Sequence, residues 1–389
     1  MNATESALMA SAPAHLIATT RPIKILYGVQ GTGNGHITRA RALLPALRAA
    51  GCEVDVLVSG RPREELFGVE SFGDFQLKQG LTFAMRHGHI DPLRTVLQAQ
   101  PLTLLRDIRQ LSLASYDLVI SDFEPITAWA ARRQGIPSLG IGHQYAFRHP
   151  IPKAGINIPS RLVLKYMAPV SEPVGLHWHG FGQPLLPPVL EPSTLAAPLT
   201  SLAPQPDKVL VYLPFEDTAD LIRLFEPFRD HRFSIYCAVS APEQRGHIRL
   251  CPFSRTGFKA DLADCASIVT GAGFELPSEA LVLGKKLLVR PLAAQFEQES
   301  NAKALAELGR ARVMTRLDPA EVAALLAAPM PAPVAYPDVA AALARWIAAG
   351  RAAPLAQLAE QLWQQTRGLP RWRDEPLGVN PAAPDIPLV

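Results

Sequence analysis

Residues 270–305 read TGAGFELPSEALVLGKKLLVRPLAAQFEQESNAKAL, and the order of their parts decides the fold. A glycine turn (Gly271, Gly273) leads into a helix start that bears Ser278 and Glu279, an apolar strand follows over residues 286–290, and a polar loop then carries Gln295, Glu297, Gln298 and Asn301. Small residues let backbone N–H groups approach a phosphate, and a helix beginning there aims the positive end of its dipole at the same point. A carboxylate one turn into that helix can accept from both hydroxyls of a ribose, because an ionised carboxylate is acceptor-only. Adjacent acid and amide side chains such as Glu297 and Gln298 suit the hydroxyls of a hexose. Taken singly, each of these residues also fits an ordinary capped strand–turn–helix unit.

The string G-x-x-x-x-S-E, apolar strand, proline, then E-Q-x-x-N-A resembles the donor-binding region of GT-B glycosyltransferases. Within them it is similar to the lipid-linked N-acetylglucosaminyltransferase of peptidoglycan synthesis and to the UDP-glycosyltransferase group. The resemblance implies an α/β GT-B fold: two Rossmann-like, doubly wound domains facing a central cleft, with a nucleotide-sugar on the C-terminal one. On that pattern Gly271, Ala272 and Gly273 lie at the diphosphate, Phe274 beside them in the donor site, and Ser278 and Glu279 at the ribose. Gln295, Glu297, Gln298 and Asn301 lie around the donor sugar, with Glu297-Gln298 where many relatives carry Asp-Gln.

The chain has 389 residues, enough for two domains with a core each. Its 48% hydrophobic and 19% charged residues fit a globular protein, and a net charge of +3 is too mild to argue for nucleic acid. Cys52, Cys237, Cys251 and Cys265 show no metal-ligand spacing and read as reduced core residues. Neither zinc nor a disulfide is expected. Residues 1–20 are rich in Ala, Ser and Thr without a basic n-region, which suits a disordered extension better than a secretory signal. No apolar run is long enough to span a bilayer. The expected location is the cytoplasm, with attachment to the inner face of the membrane left open.

Working back from the opening stretch, residues 23–29 (IKILYGV) form a buried-strand pattern that runs into QGTGNGH and an amphipathic helix, then into the strand pattern CEVDVLVSG. Gly31, Gly33 and Gly35 are spaced GxGxG, which is neither the dinucleotide fingerprint nor a Walker loop. His36 follows at the helix start. An imidazole there suits proton abstraction from a hydroxyl, and helix capping or contact with an acceptor phosphate is the plain alternative. In the resembled family a glycine loop with histidine in this place lines the acceptor side, which puts Gly33, Asn34 and Gly35 there and proposes His36 as general base.

YDLVISDFEP (residues 116–125) places Asp122 and Glu124 at a strand end, where open α/β sheets bind ligands. Either acid can serve as base or orient His36, and Asp122 also suits a helix N-cap. The string DFEP further resembles an uncharacterised subgroup of GT-B-like proteins. His143, Gln144 and Arg148 follow the next strand pattern and count as acceptor-side candidates. Between residues 125 and 171 there is no Asp or Glu, while Arg132, Arg133, Arg148, Lys153, Arg161 and Lys165 interleave with apolar and aromatic side chains. Such a segment suits an anionic bilayer or an acceptor phosphate, and solvated helix faces are the plain alternative.

The domain organisation expected is a first domain over residues 21–186, a proline-dense linker over 187–206, a nucleotide-sugar domain over 207–335, and C-terminal helices with a loose tail over 336–389. PFED follows the first strand of the second domain, where the peptidoglycan enzyme has a glycine- and serine-rich phosphate loop. Proline lacks an N–H, so diphosphate contacts there differ. The expected chemistry is inverting, metal-independent transfer from a nucleotide-sugar substrate, most simply a UDP-sugar, to an acceptor the sequence does not name, with no separate cofactor. A UDP-sugar 2-epimerase of the same fold and a non-catalytic nucleotide-sugar-binding protein are the alternatives. A nicotinamide oxidoreductase fits least, for want of the right glycine spacing.

Overall fold

A computed structural model describes residues 21–80, 85–86, 89–90, 101–195, 203–370 and 372. The expected N-terminal extension, most of the tail and the middle of the linker lie outside the described residues.

Apolar runs become parallel strands buried on both faces. The first sheet takes β1 (Lys24–Gln30), β2 (Glu53–Ser59), β3 (Phe75–Lys78), β6 (Leu118–Asp122), β7 (Ser138–Gly142) and β8 (Glu172–Gly175), in the order β3-β2-β1-β6-β7-β8. Every pairing in it is parallel. Two short strands outside it, β4 (Met85–Arg86) and β5 (His89–Ile90), pair antiparallel. Helices α1 (Asn34–Ala49), α2 (Pro101–Gln110), α3 (Pro125–Gln134) and α4 (Ile158–Tyr166) flank the sheet.

The second sheet runs β11-β12-β10-β9-β13-β14-β15, with β9 (Gln205–Tyr212) and β13 (Cys265–Gly271) at its centre, and β10 (Arg232–Tyr236), β12 (Ile248–Cys251), β14 (Lys286–Arg290) and β15 (Arg312–Val313) to either side. Only β11 (Glu243–Arg245) is antiparallel, at the edge. Around this sheet lie α5 (Thr218–Phe225), α6 (Arg255–Asp264), α7 (Glu275–Val282), α8 (Phe296–Glu307) and α9 (Pro319–Ala327). Cys265 opens β13, and all four cysteines are buried free thiols.

The proline-dense passage is packed at its start: Leu185, Leu186, Val189 and Leu190 are all buried. A single helical turn, Pro192–Leu195, follows. The last two helices, α10 (Val339–Ala348) and α11 (Leu355–Gln365), return to the first domain, where α10 packs on α1 and Trp363 donates its indole N–H to Leu185 O at 2.6 Å. One apolar cluster therefore runs from Ile25 and Leu43 to Leu281 and Leu343. It holds the carboxyl ends of both sheets against a shared cleft.

Candidate functional site

Gly33 occupies the N-cap position of α1 in an extended conformation, with no side chain closing the helix start. His36, in the first turn, has a side chain only 14% exposed and donates from Nδ1 to Asp122 Oδ1 at 2.7 Å. One turn further on, the buried guanidinium of Arg39 donates to both oxygens of the same carboxylate, Nε to Oδ2 at 2.8 Å and Nη2 to Oδ1 at 2.6 Å. Burial would push the Asp122 carboxyl up, but the positive charge of Arg39 and the hydrogen-bonding imidazole of His36 outweigh it and hold the group below the usual carboxylate range. An ionised, acceptor-only Asp122 fixes the Nδ1–H form of His36. Nε2 is then the basic nitrogen, and it has no protein partner among the described residues.

Asp122 and Glu124 are adjacent acids with different roles because the residue between them, Phe123, takes a left-handed φ of 55° that turns the chain sharply. The N-cap read for Asp122 belongs to Glu124, whose carboxylate accepts from Ile126 N at 2.8 Å, Thr127 N at 2.7 Å, Thr127 Oγ1 at 2.6 Å and Ser59 Oγ at 2.7 Å. Both oxygens are engaged and the residue is fully buried, so Glu124 meets neither His36 nor the cleft. Burial raises its pKa in spite of those four donors.

On the other side of the cleft β13 ends in the Gly271–Phe274 turn and α7 begins at Glu275 with no side-chain cap for its first N–H groups. The space that a Cβ on Gly273 would occupy is empty to 4 Å. Most of the polar residues expected at the donor are engaged with other protein groups, and Ser278 and Asn301 hold this turn directly. Ser278 Oγ donates to Phe274 O at 2.7 Å and accepts from Trp178 Nε1 at 2.8 Å. Gln295 caps α8 by accepting from Gln298 N at 2.5 Å, Gln298 accepts from Leu292 N at 3.1 Å, and Asn301 donates to Ala272 O at 3.0 Å. Glu279 is paired with Lys259 at 2.5 Å, and burial raises its pKa despite that cation.

The acceptor-side candidates split. His143 is fully buried, its ring nitrogens 2.8 Å from Leu176 O and 2.5 Å from Asn301 Oδ1, and burial holds it below the usual histidine range. Gln144 donates to both oxygens of Glu297 at 3.2 and 3.1 Å. Both therefore bond to residues expected at the donor sugar, across the cleft. Arg148 lies over the Tyr145 ring at 5.7 Å, and Asn34 accepts from Arg61 at 2.9 Å. Gly35 is pressed against α7, where an added Cβ would stand 2.9 Å from Glu275 Cγ.

Three residues of this region escaped the sequence reading: Arg39, Trp178 and Glu275. Arg39 alone had a local signal, since its spacing of three from His36 places both on one helix face. Glu275 pairs with Arg39 across the cleft, and its second oxygen is buried without a partner. Burial, opposed by Arg39 and reinforced by nearby Asp122, Glu279 and Glu297, pushes its pKa up to about 8.

No curated protein matches the chain. Among solved structures, the glycosyltransferase SnogD from Streptomyces nogalater aligns with a TM-score of 0.51 and 18% identity over 88% of this chain and 99% of that one. The kitacinnamycin glycosyltransferase aligns at 0.52 and 16% over 89% and 100%, and the spinosyn forosaminyltransferase SpnP at 0.51 and 16% over 88% and 99%. At such identities the likeness shows the fold, which is GT-B. A family profile described as Glycosyl transferase family 1 matches residues 23–331, a span that takes in the His36 loop, Asp122 and the Gly271–Phe274 turn. With two doubly wound domains meeting at those groups, the chain belongs to glycosyl transferase family 1 and is an enzyme that transfers sugar from a nucleotide-sugar donor.

Proposed function

We propose that the chain moves a sugar from a UDP-sugar to an acceptor hydroxyl with inversion at the anomeric carbon. The observation that carries this reading is the 2.7 Å hydrogen bond from His36 Nδ1 to Asp122 Oδ1, which leaves Nε2 as an available base. As the acceptor oxygen bonds to the anomeric carbon, its proton passes to Nε2 and the bond from that carbon to the diphosphate oxygen breaks. Asp122 stabilises the imidazolium that forms. The departing diphosphate takes the electron pair, and backbone N–H groups of the Gly271–Phe274 turn and the start of α7 meet its charge. A single displacement of this kind inverts configuration. The choice of uridine rests on sequence resemblance, including that to the peptidoglycan and UDP-glycosyltransferase group.

The acceptor in this reading is presented at an anionic membrane. On α4, Ile158, Leu162 and Tyr166 are 74%, 51% and 48% exposed, and exposed Arg161 and Lys165 share their face at helical spacing. On α2, Leu102 and Leu105 are exposed beside Arg106 and Arg109. The helices are joined through α3, where Trp129 Nε1 donates to Tyr166 O at 3.0 Å and Arg133 donates to Arg109 O at 2.9 Å. Apolar tips among cations suit the headgroup region of an acidic bilayer. Among the described residues no helix is long and apolar enough to cross one.

Thermal-shift titration with UDP, GDP, dTDP, CDP and NAD tests the donor assignment. Selective stabilisation by UDP that is lost in Glu279→Ala supports it, and no response to any diphosphate overturns it. His36→Ala should retain nucleotide binding and lose turnover by roughly a hundredfold or more. Flotation with phosphatidylglycerol vesicles, but not phosphatidylcholine ones, is expected of the native chain and should be lost in Ile158→Asp/Leu162→Asp. Equal binding to both vesicle types, or binding to neither, would remove the anionic-membrane element alone.

A further inference from the structure

Arg39 is one of the largest fully buried side chains of the protein, and it is charged. Two of its nitrogens hold both oxygens of Asp122, and the third, Nη1, crosses the cleft to Glu275 Oε1. Asp122 in turn holds His36. A continuous chain of charge-assisted hydrogen bonds therefore joins the first residue of α7, on the nucleotide-sugar domain, to the imidazole on the other domain. A second, independent observation concerns Gly35. Glu275 packs so closely over it that a Cβ there would stand 2.9 Å from Glu275 Cγ. The last glycine of the GxGxG loop thus makes room for a protein carboxylate.

The placement of Glu275 is costly unless it serves something. Burying a carboxyl group at the start of α7, beside the turn offered to a diphosphate, is unfavourable unless its polar atoms find partners. Its Oε2 has none. The only counter-charge in hydrogen-bonding contact with it among the described residues is Arg39. The titratable and charged groups around it are Arg39, Asp122 and Tyr27 from the first domain and Glu279 and Glu297 from its own.

We propose that Glu275 is a positioning residue for the base: by holding Arg39 from the donor side of the cleft it locks Asp122 and the Nδ1–H orientation of His36, so that the base is aligned only when the two domains are closed. The inference rests on the reading of His36 and Asp122 as the base pair. It deepens that reading by making base alignment depend on the donor domain. With Glu275 withdrawn, Arg39 keeps Asp122 as its only carboxylate partner and loses the contact that braces it from the far side of the cleft, so the geometry of Asp122 and the imidazole is less tightly fixed. Misplacement of a reacting group by about 1 Å costs on the order of a hundredfold in rate.

The test uses the full chain labelled with 15N-histidine, with the His36 resonances assigned by comparison with His36→Gln. The observed signals are the hydrogen-bonded Nδ1 proton and the ring tautomer, recorded with and without saturating UDP. Native protein should show a downfield Nδ1 proton and the Nδ1–H tautomer. Glu275→Gln, which keeps an acceptor for Arg39, should retain both, whereas Glu275→Ala should lose the downfield proton while still being stabilised by UDP. Gly35→Ala, which displaces Glu275 without removing it, should behave like Glu275→Ala and serves if that variant folds poorly. An unchanged His36 signal in Glu275→Ala or Gly35→Ala overturns the inference and leaves the base pair intact. Absence of the downfield proton from native protein, with and without UDP, overturns the base pair itself and the inference with it.

Discussion

The imidazole of His143 stacks on the phenyl ring of Phe274, centroids 4.1 Å apart and planes within 10°, so a residue of the first domain covers the turn that leads into α7 of the second. His177 and Trp178 pack around the same pair, at 5.1 and 5.8 Å from the His143 ring. The cleft is closed by rings and by the Trp178–Ser278 hydrogen bond of 2.8 Å. Domain opening must therefore expose apolar surface as well as break polar contacts.

His177 gives this cluster a pH dependence. Burial, with His143 and His179 adding to it, holds its imidazole well below the usual range. The unfolded chain takes up a proton near pH 6.5 and the folded one does not, so stability from this residue is present above that value and is lost as pH falls through it. Other groups oppose the trend, Glu275 among them, so a difference is the clean measurement. The gap in melting temperature between native protein and His177→Gln should shift in favour of the variant as pH falls from 8 to 5.5, with up to about 1.4 kcal/mol per pH unit below 6.5. A constant gap would refute the assignment.

Glu124 and Asp122 should separate stability from chemistry. Glu124→Ala removes a cap and leaves buried donors unpaired, a loss of about 2 kcal/mol or more. Nucleotide binding and turnover per folded molecule should persist. Asp122→Asn should lower turnover by on the order of a hundredfold while the fold and UDP binding survive. Equal turnover losses from both substitutions would return Glu124 to the list of bases.

Two glycines make a matched pair. A Cβ on Gly28 would lie 2.0 Å from Thr127 Oγ1 and 2.9 Å from Glu124 Oε2, so Gly28→Ala must displace the capped end of α3. Overpacking of this kind costs about 1–3 kcal/mol, and more where the neighbours cannot yield. Gly273→Ala meets nothing in the protein, so its melting temperature should match the native value while stabilisation by UDP falls. Full UDP stabilisation in Gly273→Ala would show that the diphosphate lies elsewhere.

Glu191 ties the domains together from the connecting segment. It accepts from Arg41 of α1 at 2.6 Å and from Arg255 of α6 at 3.1 Å, and Lys259 stands at 3.5 Å. Burial alone would raise its pKa, but Lys259, Arg41 and Arg255 bring it below the usual carboxylate range. Removing one partner of a buried ion cluster strands the others, typically at about 3–5 kcal/mol. Glu191→Ala should lower the melting temperature and raise the radius of gyration seen by X-ray scattering. A native scattering profile would show that the aromatic contacts alone hold the domains closed.

The sequence by itself determined the two αβ series, their order and the loops that end at the cleft. Those features are written in short-range terms: apolar runs such as residues 23–29, glycine turns such as Gly271 and Gly273, and a histidine at a helix start. His36 was legible as a candidate base because its chemistry and its place after a strand coincide within a few residues. The tertiary structure alone decided which neighbouring acid serves it. Asp122 and Glu124 are two residues apart and equivalent in the sequence, yet a single left-handed residue, Phe123, sends one to the imidazole and the other into a helix cap. Arg39 and Glu275 are 236 residues apart, and their pairing exists only because two separately built sheets meet with their carboxyl ends facing. No local pattern encodes that meeting, since an ion pair depends on distance through space and its partners carry no mark of each other along the chain.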